Sequence, residues 1–389
     1  MKAVDTLFLA LLFVVFYSYV GYGMVLYILV KLKQMIYKSE NRNELIFPSV
    51  TLLIAAYNEE NYIDEKIMNS LALDYPKDKI QLLFVTDGST DNTAKIISKY
   101  KSIQLLHETI RRGKTAAVNR AMKYVTTDIV VFSDANTMLN KEAVLEIVQH
   151  YCNPKVGCVS GEKRVRIPEI AQASAAGEGL YWKYESKLKQ WDAELYSAAG
   201  AAGELFSIRT NLFVETEADT ILDDFMISLR IVGQGYIIAY EPNAYALENA
   251  STDIKEELKR KIRICAGGFQ SIIRLTSLWN IFRYGIFTFQ YVSHRVLRWT
   301  IAPLALLLLV PLNLYLAFTG PSIYSFLLLL QVMFYSMALI GWKYELLKTR
   351  KKMFFIPFYF TMMNYSVLAG FKRFVLSEQS HIWQKAQRA

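Results

Sequence analysis

Three short polar clusters each follow an apolar run: Asn58-Glu59 after "SVTLLIAAY", Asp87-Gly88-Ser89 after "IQLLFVTD", and Asp134-Ala135-Asn136 after "DIVVFSD". Singly each has an ordinary explanation, since Asn58 can cap the next helix, "DGS" is turn chemistry and Asp134 can close a turn. Together they gather carboxylates and amides past several strand ends, in a chain with neither a G-x-G-x-x-G fingerprint nor a G-x-x-x-x-G-K-[ST] loop. That combination suits a nucleotide held by carboxylates and a metal. "RRGK", Arg111 to Lys114, opens a helix that continues through "TAAVNRAM". Such charge runs usually face solvent, but at the same edge Lys114 and the local amides can meet a phosphate or a ribose. "LDDF", Leu222–Phe225, puts two carboxylates at a helix start, which the macrodipole favours. Gly200–Glu204, small and then acidic, permits close backbone approach and can form the floor under an acceptor. Trp182 and Trp191 offer flat faces to a ring, although core or interfacial packing is the commoner use of such residues.

These clusters need a scaffold that delivers them to one place. Between Pro48 and about Val159, strand-like runs, "SIQLLHE" among them, are separated by helix-length segments such as Glu60–Leu71 and Thr93–Tyr100. This alternation predicts a doubly wound, mostly parallel sheet, whose ligands lie beyond the carboxyl ends of the strands.

The chain has 389 residues, 53% of them apolar, and a formal net charge of +9. Leu7–Val30, Ile301–Phe318 and Ile323–Gly341 are uncharged and each close to the ~20 residues that cross a bilayer as a helix. Lys31, Lys33 and Lys38 follow the first run and Lys343–Lys352 follows the hairpin formed by the other two, so the positive-inside rule puts the long middle region in the cytoplasm. A fourth run, Met353–Gly370, holds Pro357, Thr361, Asn364 and Ser366 and precedes Lys372 and Arg373, which predicts a re-entrant or interfacial segment more than a full span. The basic residues cluster beside membrane segments, which explains the charge without nucleic acid. Cys152, Cys158 and Cys265 and the four scattered histidines give neither a disulfide framework nor a zinc spacing.

The ordered set "AAYNEE", "VTDGSTDNT", "RRGKTAAVNRAM", "FSDAN", "YWKYE", "AAGELFSIRTNLF", "ILDDFMISLRIVGQGY", "ELKRKIRICAGGFQS", "SHRVLRW" and "HIWQKAQR" resembles the inverting family 2 glycosyltransferases with a GT-A fold. The membrane layout is similar to that of the hyaluronan, chitin and poly-N-acetylglucosamine synthases of that family. The resemblance implies an α/β GT-A domain at 45–275 after an anchor at 1–35. It is followed by an interfacial amphipathic helix at 276–299, a transmembrane hairpin with a fourth segment at 300–371, and a cytoplasmic tail at 372–389.

It also implies roles. Asn58, Glu59 and Asp87 would hold the nucleoside of a nucleoside-diphosphate sugar, UDP-linked, with Lys114 near the base or phosphates. Asp134 and Asn136 stand where the family has D-x-D, and would share a Mg²⁺ or Mn²⁺ whose shell the donor phosphates complete. Asp224 of "LDDF" matches the general base, with Asp223 its electrostatic neighbour. The family's Q-x-x-R-W becomes Arg260-Lys261-Ile262-Arg263-Ile264. Arg263 keeps the cation for the leaving diphosphate and Arg260 replaces the glutamine on the donor side, while the acceptor-side tryptophan is lost. Gly203, Glu204 and the tail residue Trp383, in a W-x(4)-R element with Arg388, would face the acceptor, a growing glycan in exopolysaccharide or capsule synthesis. A lipid-linked acceptor receiving one sugar, or a catalytically silent subunit of a synthase complex, are the rival readings, and accessory synthase subunits are conceivable partners.

Overall fold

A computed structural model describes residues 2–36, 45–166, 172–249, 254–347, 351–380 and 382, with side chains from residue 183 onward in the helix Gln172–Leu195. Trp383 and Arg388 lie outside the described residues, as does the Trp182 side chain.

Eight strands form one sheet in the order β3-β2-β1-β4-β7-β6-β8-β5. They are β1 Val50–Ala56, β2 Ile80–Asp87, β3 Ile103–Glu108, β4 Ile129–Asp134, β5 Thr137–Leu139, β6 Val156–Arg166, β7 Leu205–Arg209 and β8 Ile237–Asn249. β3, β2, β1 and β4 are parallel; β7 is antiparallel to both β4 and β6, β8 is parallel to β6, and β5 runs antiparallel to β8. The apolar runs are nearly continuous because both faces are covered. Leu52, Ile54 and Val131 face the helices Ile63–Leu71 and Ala143–Gln149, while Leu53, Val130 and Phe132 face Lys114–Met122 and Asp223–Gly233. Register pairs Ala55 with Asp134 and Ala56 with Thr86, so Asn58, Asp87 and Asp134 reach one edge, as expected.

Four helices are long and apolar enough to cross a membrane: Lys2–Ile36, Ile301–Thr319, Ser322–Leu346 and Met353–Val375. The first, at 35 residues, is about 52 Å long, well beyond the ~30 Å of bilayer hydrocarbon. Its surplus serves as a docking rod. Tyr22, Leu26 and Val30 pack on Leu188 and Leu195, the Tyr27 ring lies 5.3 Å from that of Trp191, and Lys33 donates to the Glu194 and Leu195 carbonyls at 2.8 Å. Trp191 is therefore a packing residue.

Residues 276–299, expected as one amphipathic helix, are not continuous. They form short pieces, Thr276–Trp279, Ile281–Tyr284, Ile286–Tyr291, a π turn Val292–Val296 and Leu297–Trp299. Gly285, at φ +52°, breaks the helix, and beyond it Phe287, Tyr291 and Val296 enter the sheet's core. The chain here favours core burial over a continuous amphipathic face.

The fourth apolar segment contains no break. Lys352–Val375 is continuous because its polar residues satisfy themselves one turn back: Thr361 donates to the Pro357 carbonyl at 2.8 Å, Asn364 to Phe360 at 2.9 Å and Ser366 to Met362 at 2.8 Å. It runs along the amphipathic helix Ile254–Arg274. Leu258 meets the cluster of Phe355, Tyr359 and Met362, Phe269 meets Val367 and Phe374, and the Gly370 Cα seats against Cys265.

Candidate active site

A cavity of about 890 Å³ opens along the sheet edge and runs toward Trp299, the end of the segment that precedes the Ile301–Thr319 helix. At one end Lys114 sits between carboxylates, its Nζ 2.7 Å from Asp134 Oδ1 and 3.7 Å from Asp223 Oδ2. Burial opposes charge on Lys114, but Asp134 and Asp223 more than offset it and hold the ammonium strongly protonated. Arg263 lines the same wall, and Asp223, Asp224 and Asp134 are the carboxylates whose charge it feels.

Asp224 lies mid-cavity in the first turn of the helix Asp223–Gly233. Burial and the Asp223 charge push its carboxyl up to about 7; Lys114 pulls the other way and Glu204 adds to the rise. A carboxylate tuned to neutrality suits a general base. The Gly200–Glu204 loop packs against this helix start at two points. Gly200, at φ +109°, lets the chain pass so close to Phe225 that a Cβ would fall 2.5 Å from the ring, and a Cβ on Gly203 would stand 3.0 Å from Asp224 Oδ2. Gly203→Ala should therefore cost activity by displacing this candidate base. We expect kcat to fall about 10- to 100-fold with little change in donor affinity, read from turnover and from calorimetric donor titration.

Past Asp224 comes a buried ionic knot. Lys163 of β6 bridges Glu204 and Glu248, with side-chain exposures of 4%, 16% and 2%. Despite burial, Lys163 holds the Glu204 carboxyl well below the usual range. Arg260 pairs with Glu257 at 3.0 Å and feels Glu248 and Glu204. Arg260, expected on the donor side, lines the same cavity as Arg263 one turn further along the helix, and Glu257 anchors it on that helix.

The nucleoside-side residues also converge, but on one another. Asp87 accepts from the backbone N–H of Arg112 at 3.0 Å and Gly113 at 2.6 Å, so it folds the "RRGK" loop that presents Lys114. Asn58, at φ +53°, accepts from the Thr90 N–H at 2.8 Å, the Glu59 N–H donates to Thr93 Oγ1 at 2.8 Å, and the Arg111 guanidinium lies 3.6 Å from the Tyr57 ring centroid. Asn58, Glu59 and Asp87 lie beyond the Lys114 end of the cavity, outside its wall. Asn136, expected beside Asp134, occupies the turn between β4 and β5 and does not line the cavity; the carboxylate facing Asp134 across Lys114 is Asp223.

Several residues escaped the sequence reading. Lys66 is fully buried beneath the Asp134 turn, donating to Ser133 Oγ at 2.8 Å and the Thr137 carbonyl at 2.7 Å. Burial brings its pKa down to about 7, with Asp134 opposing. Its signal was present, because Ile63, Lys66, Ile67 and Ser70 make one helical stripe. Lys163, Glu248, Lys189 and Arg295 carry no such signal.

The match to known proteins follows the same boundaries. Residues 51–215, from β1 past β7, match the model of the family described as "Glycosyl transferase family 2". Those residues form a family 2 glycosyltransferase domain. Among curated relatives, it is 30% identical over 237 residues to a poly-beta-1,6-N-acetyl-D-glucosamine synthase of Staphylococcus aureus (strain MSSA476), covering 58% of this chain and 56% of that protein. The synthase of the same description from Staphylococcus epidermidis is 27% identical over 268 residues, 65% of this chain and 62% of that one. The chain thus spans 56% and 62% of these relatives' length, less than two thirds of each. Its fold is similar to that of the mannosyltransferase PcManGT from Pyrobaculum calidifontis, solved with GDP-Man and Mn²⁺. The TM-score is 0.72 at 21% identity, covering 96% of this chain and 99% of that one. The fold is shared across nearly the whole chain.

Proposed function

We propose that this glycosyltransferase moves a sugar, with inversion, from a UDP-linked donor to a hydroxyl of a growing exopolysaccharide, at the cytoplasmic face of the cell membrane. The observation that carries this reading is the position of Asp224, between a cation-rich end (Lys114, Arg263) and a separate end that closes on Trp299. In a single displacement the acceptor oxygen bonds to the anomeric carbon as the bond to the diphosphate breaks. The electron pair leaves on the diphosphate and the acceptor proton passes to Asp224. Arg263 and Lys114 stabilise the departing charge. Asp87 contributes indirectly, by holding the loop that aims Lys114.

A divalent cation fits the oxygen donors here. Asp134 and Asp223 face each other across an ammonium, so the site already places positive charge between two carboxylates. Among the described residues no group of three His, Cys, Asp or Glu is close enough to hold an ion alone, so donor phosphates would complete the shell around Asp134 and Asp223. When bound, the cation neutralises the diphosphate.

Two features support a catalytic domain facing the cytoplasm: the lysines at the inner ends of the first and third apolar helices, and the course of Lys352–Val375. That last helix packs Phe354 and Phe358 on Gly341, near the basic end of Ser322–Leu346, and Phe360 and Asn364 on Tyr19, then follows Ile254–Arg274. A helix that follows a charged helix of the catalytic domain lies in the interface, leaving the tail beside the site.

The test is a donor screen of detergent-purified protein with Mg²⁺ and with Mn²⁺. Nucleotide release is measured first, then product mass and anomeric configuration. UDP release with a lengthening glycan of inverted linkage is expected. Retention of configuration, or no sugar-nucleotide turned over, sinks the reading.

A further inference from the structure

The end of the cavity near Trp299 holds two neighbouring cations, Lys189 and Arg295. Arg295 is anchored: its Nη1 donates to Glu185 Oε1 at 2.9 Å and its Nε to the Ala199 carbonyl at 3.1 Å. That same Glu185 also serves His294 at 3.0 Å and Arg298 at 3.1 Å, so one buried carboxylate is divided among three partners. Lys189 has no carboxylate within 4.0 Å among the described residues. The nearby acids are committed elsewhere: Glu204 to Lys163, and Glu162 as acceptor from Ser186 Oγ at 2.6 Å. Burial and then the Arg295 charge weaken the hold of Lys189 on its proton, while Glu185, Glu162 and Glu204 pull the other way. Arg295 and Arg298 share the single carboxylate of Glu185 and Lys189 adds a third cation to this end of the cavity, so an anion between Lys189 and Arg295 would lower the energy of the cluster. His294, Arg298 and Tyr22 tie the same knot to the first membrane helix: Arg298 Nε donates to the Ser18 carbonyl at 2.9 Å inside the π turn Tyr17–Gly21, and Tyr22 donates to Asp192, which also bonds His294. The cation pair thus lies where the catalytic domain meets the membrane helices.

We propose that Lys189 and Arg295 form an anion subsite for a phosphate group carried by the acceptor. This rests on the reading that the Trp299 end receives the acceptor, and names its chemical class: a phosphate-bearing glycan primer or a lipid phosphate. Two cations converging on one phosphate supply charge-assisted hydrogen bonds that a neutral glycan cannot.

The experiment uses full-length protein in a neutral detergent, without donor. Binding of hexyl phosphate, hexyl glucoside and inorganic phosphate is measured by calorimetry for wild type, Lys189→Gln, Lys189→Arg and Lys114→Gln. We expect hexyl phosphate to bind, hexyl glucoside not to, Lys189→Gln to weaken phosphate binding about 10- to 100-fold, and Lys189→Arg to restore most of it. Hexyl phosphate binding well above inorganic phosphate identifies a lipid phosphate; equal binding identifies a phosphate recognised without lipid. No phosphate binding, equal binding of the glucoside, or a signal lost in Lys114→Gln but kept in Lys189→Gln overturns the subsite. Because no donor is present, failure of the transferase reading appears separately, as absent nucleotide release in the donor screen.

Discussion

Asp224→Asn should lower kcat about 10²- to 10⁴-fold, the range that positioned general bases supply. Donor affinity should stay within about threefold of wild type, because the amide keeps the shape and only the proton acceptor is lost. Asparagine also removes one of two adjacent carboxylates, so Lys114 and Asp134 should hold their places. Single-turnover transfer beside calorimetric donor binding separates the two effects, and transfer at the wild-type rate would remove Asp224 from the role of base. The pH profile carries the same information. Burial and Asp223 raise the Asp224 pKa to about 7, and the base is active when ionised. The rate should therefore climb with pH through about 7 and then level. Glu204 adds to that rise, so Glu204→Gln should move the climbing limb to lower pH. A limb that stays in place would show that Asp224 does not set it.

The second large effect is on stability. Lys163 is the cation between the carboxylates of Glu204 and Glu248, and Lys163→Met leaves both buried without it. Removing one partner of a buried ion pair costs about 3–5 kcal/mol. For a domain of this size that corresponds to a fall in Tm of about 6–20 °C, measurable by a thermal melt in detergent. Adding Glu248→Leu to Lys163→Met should restore part of the loss, because one stranded charge is replaced by an apolar group. If the single variant melts with wild type, the knot contributes little to stability.

Much of the site was readable before the fold. Asp134, Asp224, Arg263, Lys114 and Gly203 line one cavity, and each stands in a short stretch whose residue types and order carry the signal. Less was readable about partners. For Arg260, the pairing with Glu257 one turn back on its own helix emerged only in the fold. Asn136 stands two residues from Asp134, but that the carboxylate across Lys114 from Asp134 is Asp223, far along the chain, could not be read from spacing. The segment 276–299 looked like an interfacial helix because its aromatics and arginines alternate suitably, but periodicity does not say whether an apolar face meets lipid or a protein core.

By itself, the sequence determined the parallel part of the sheet, three of the four apolar helices and the types of group at each strand end. Those depend on periodicity, length and local turn chemistry, which are properties of neighbouring residues. Only the tertiary structure decided which charges share a cavity: Lys66 under the Asp134 turn, Lys163 between two glutamates, and Lys189 beside Arg295. The physical reason is that the energy of a buried charge is set by what lies within a few ångströms of it, and here those neighbours come from strands and helices distant in the chain.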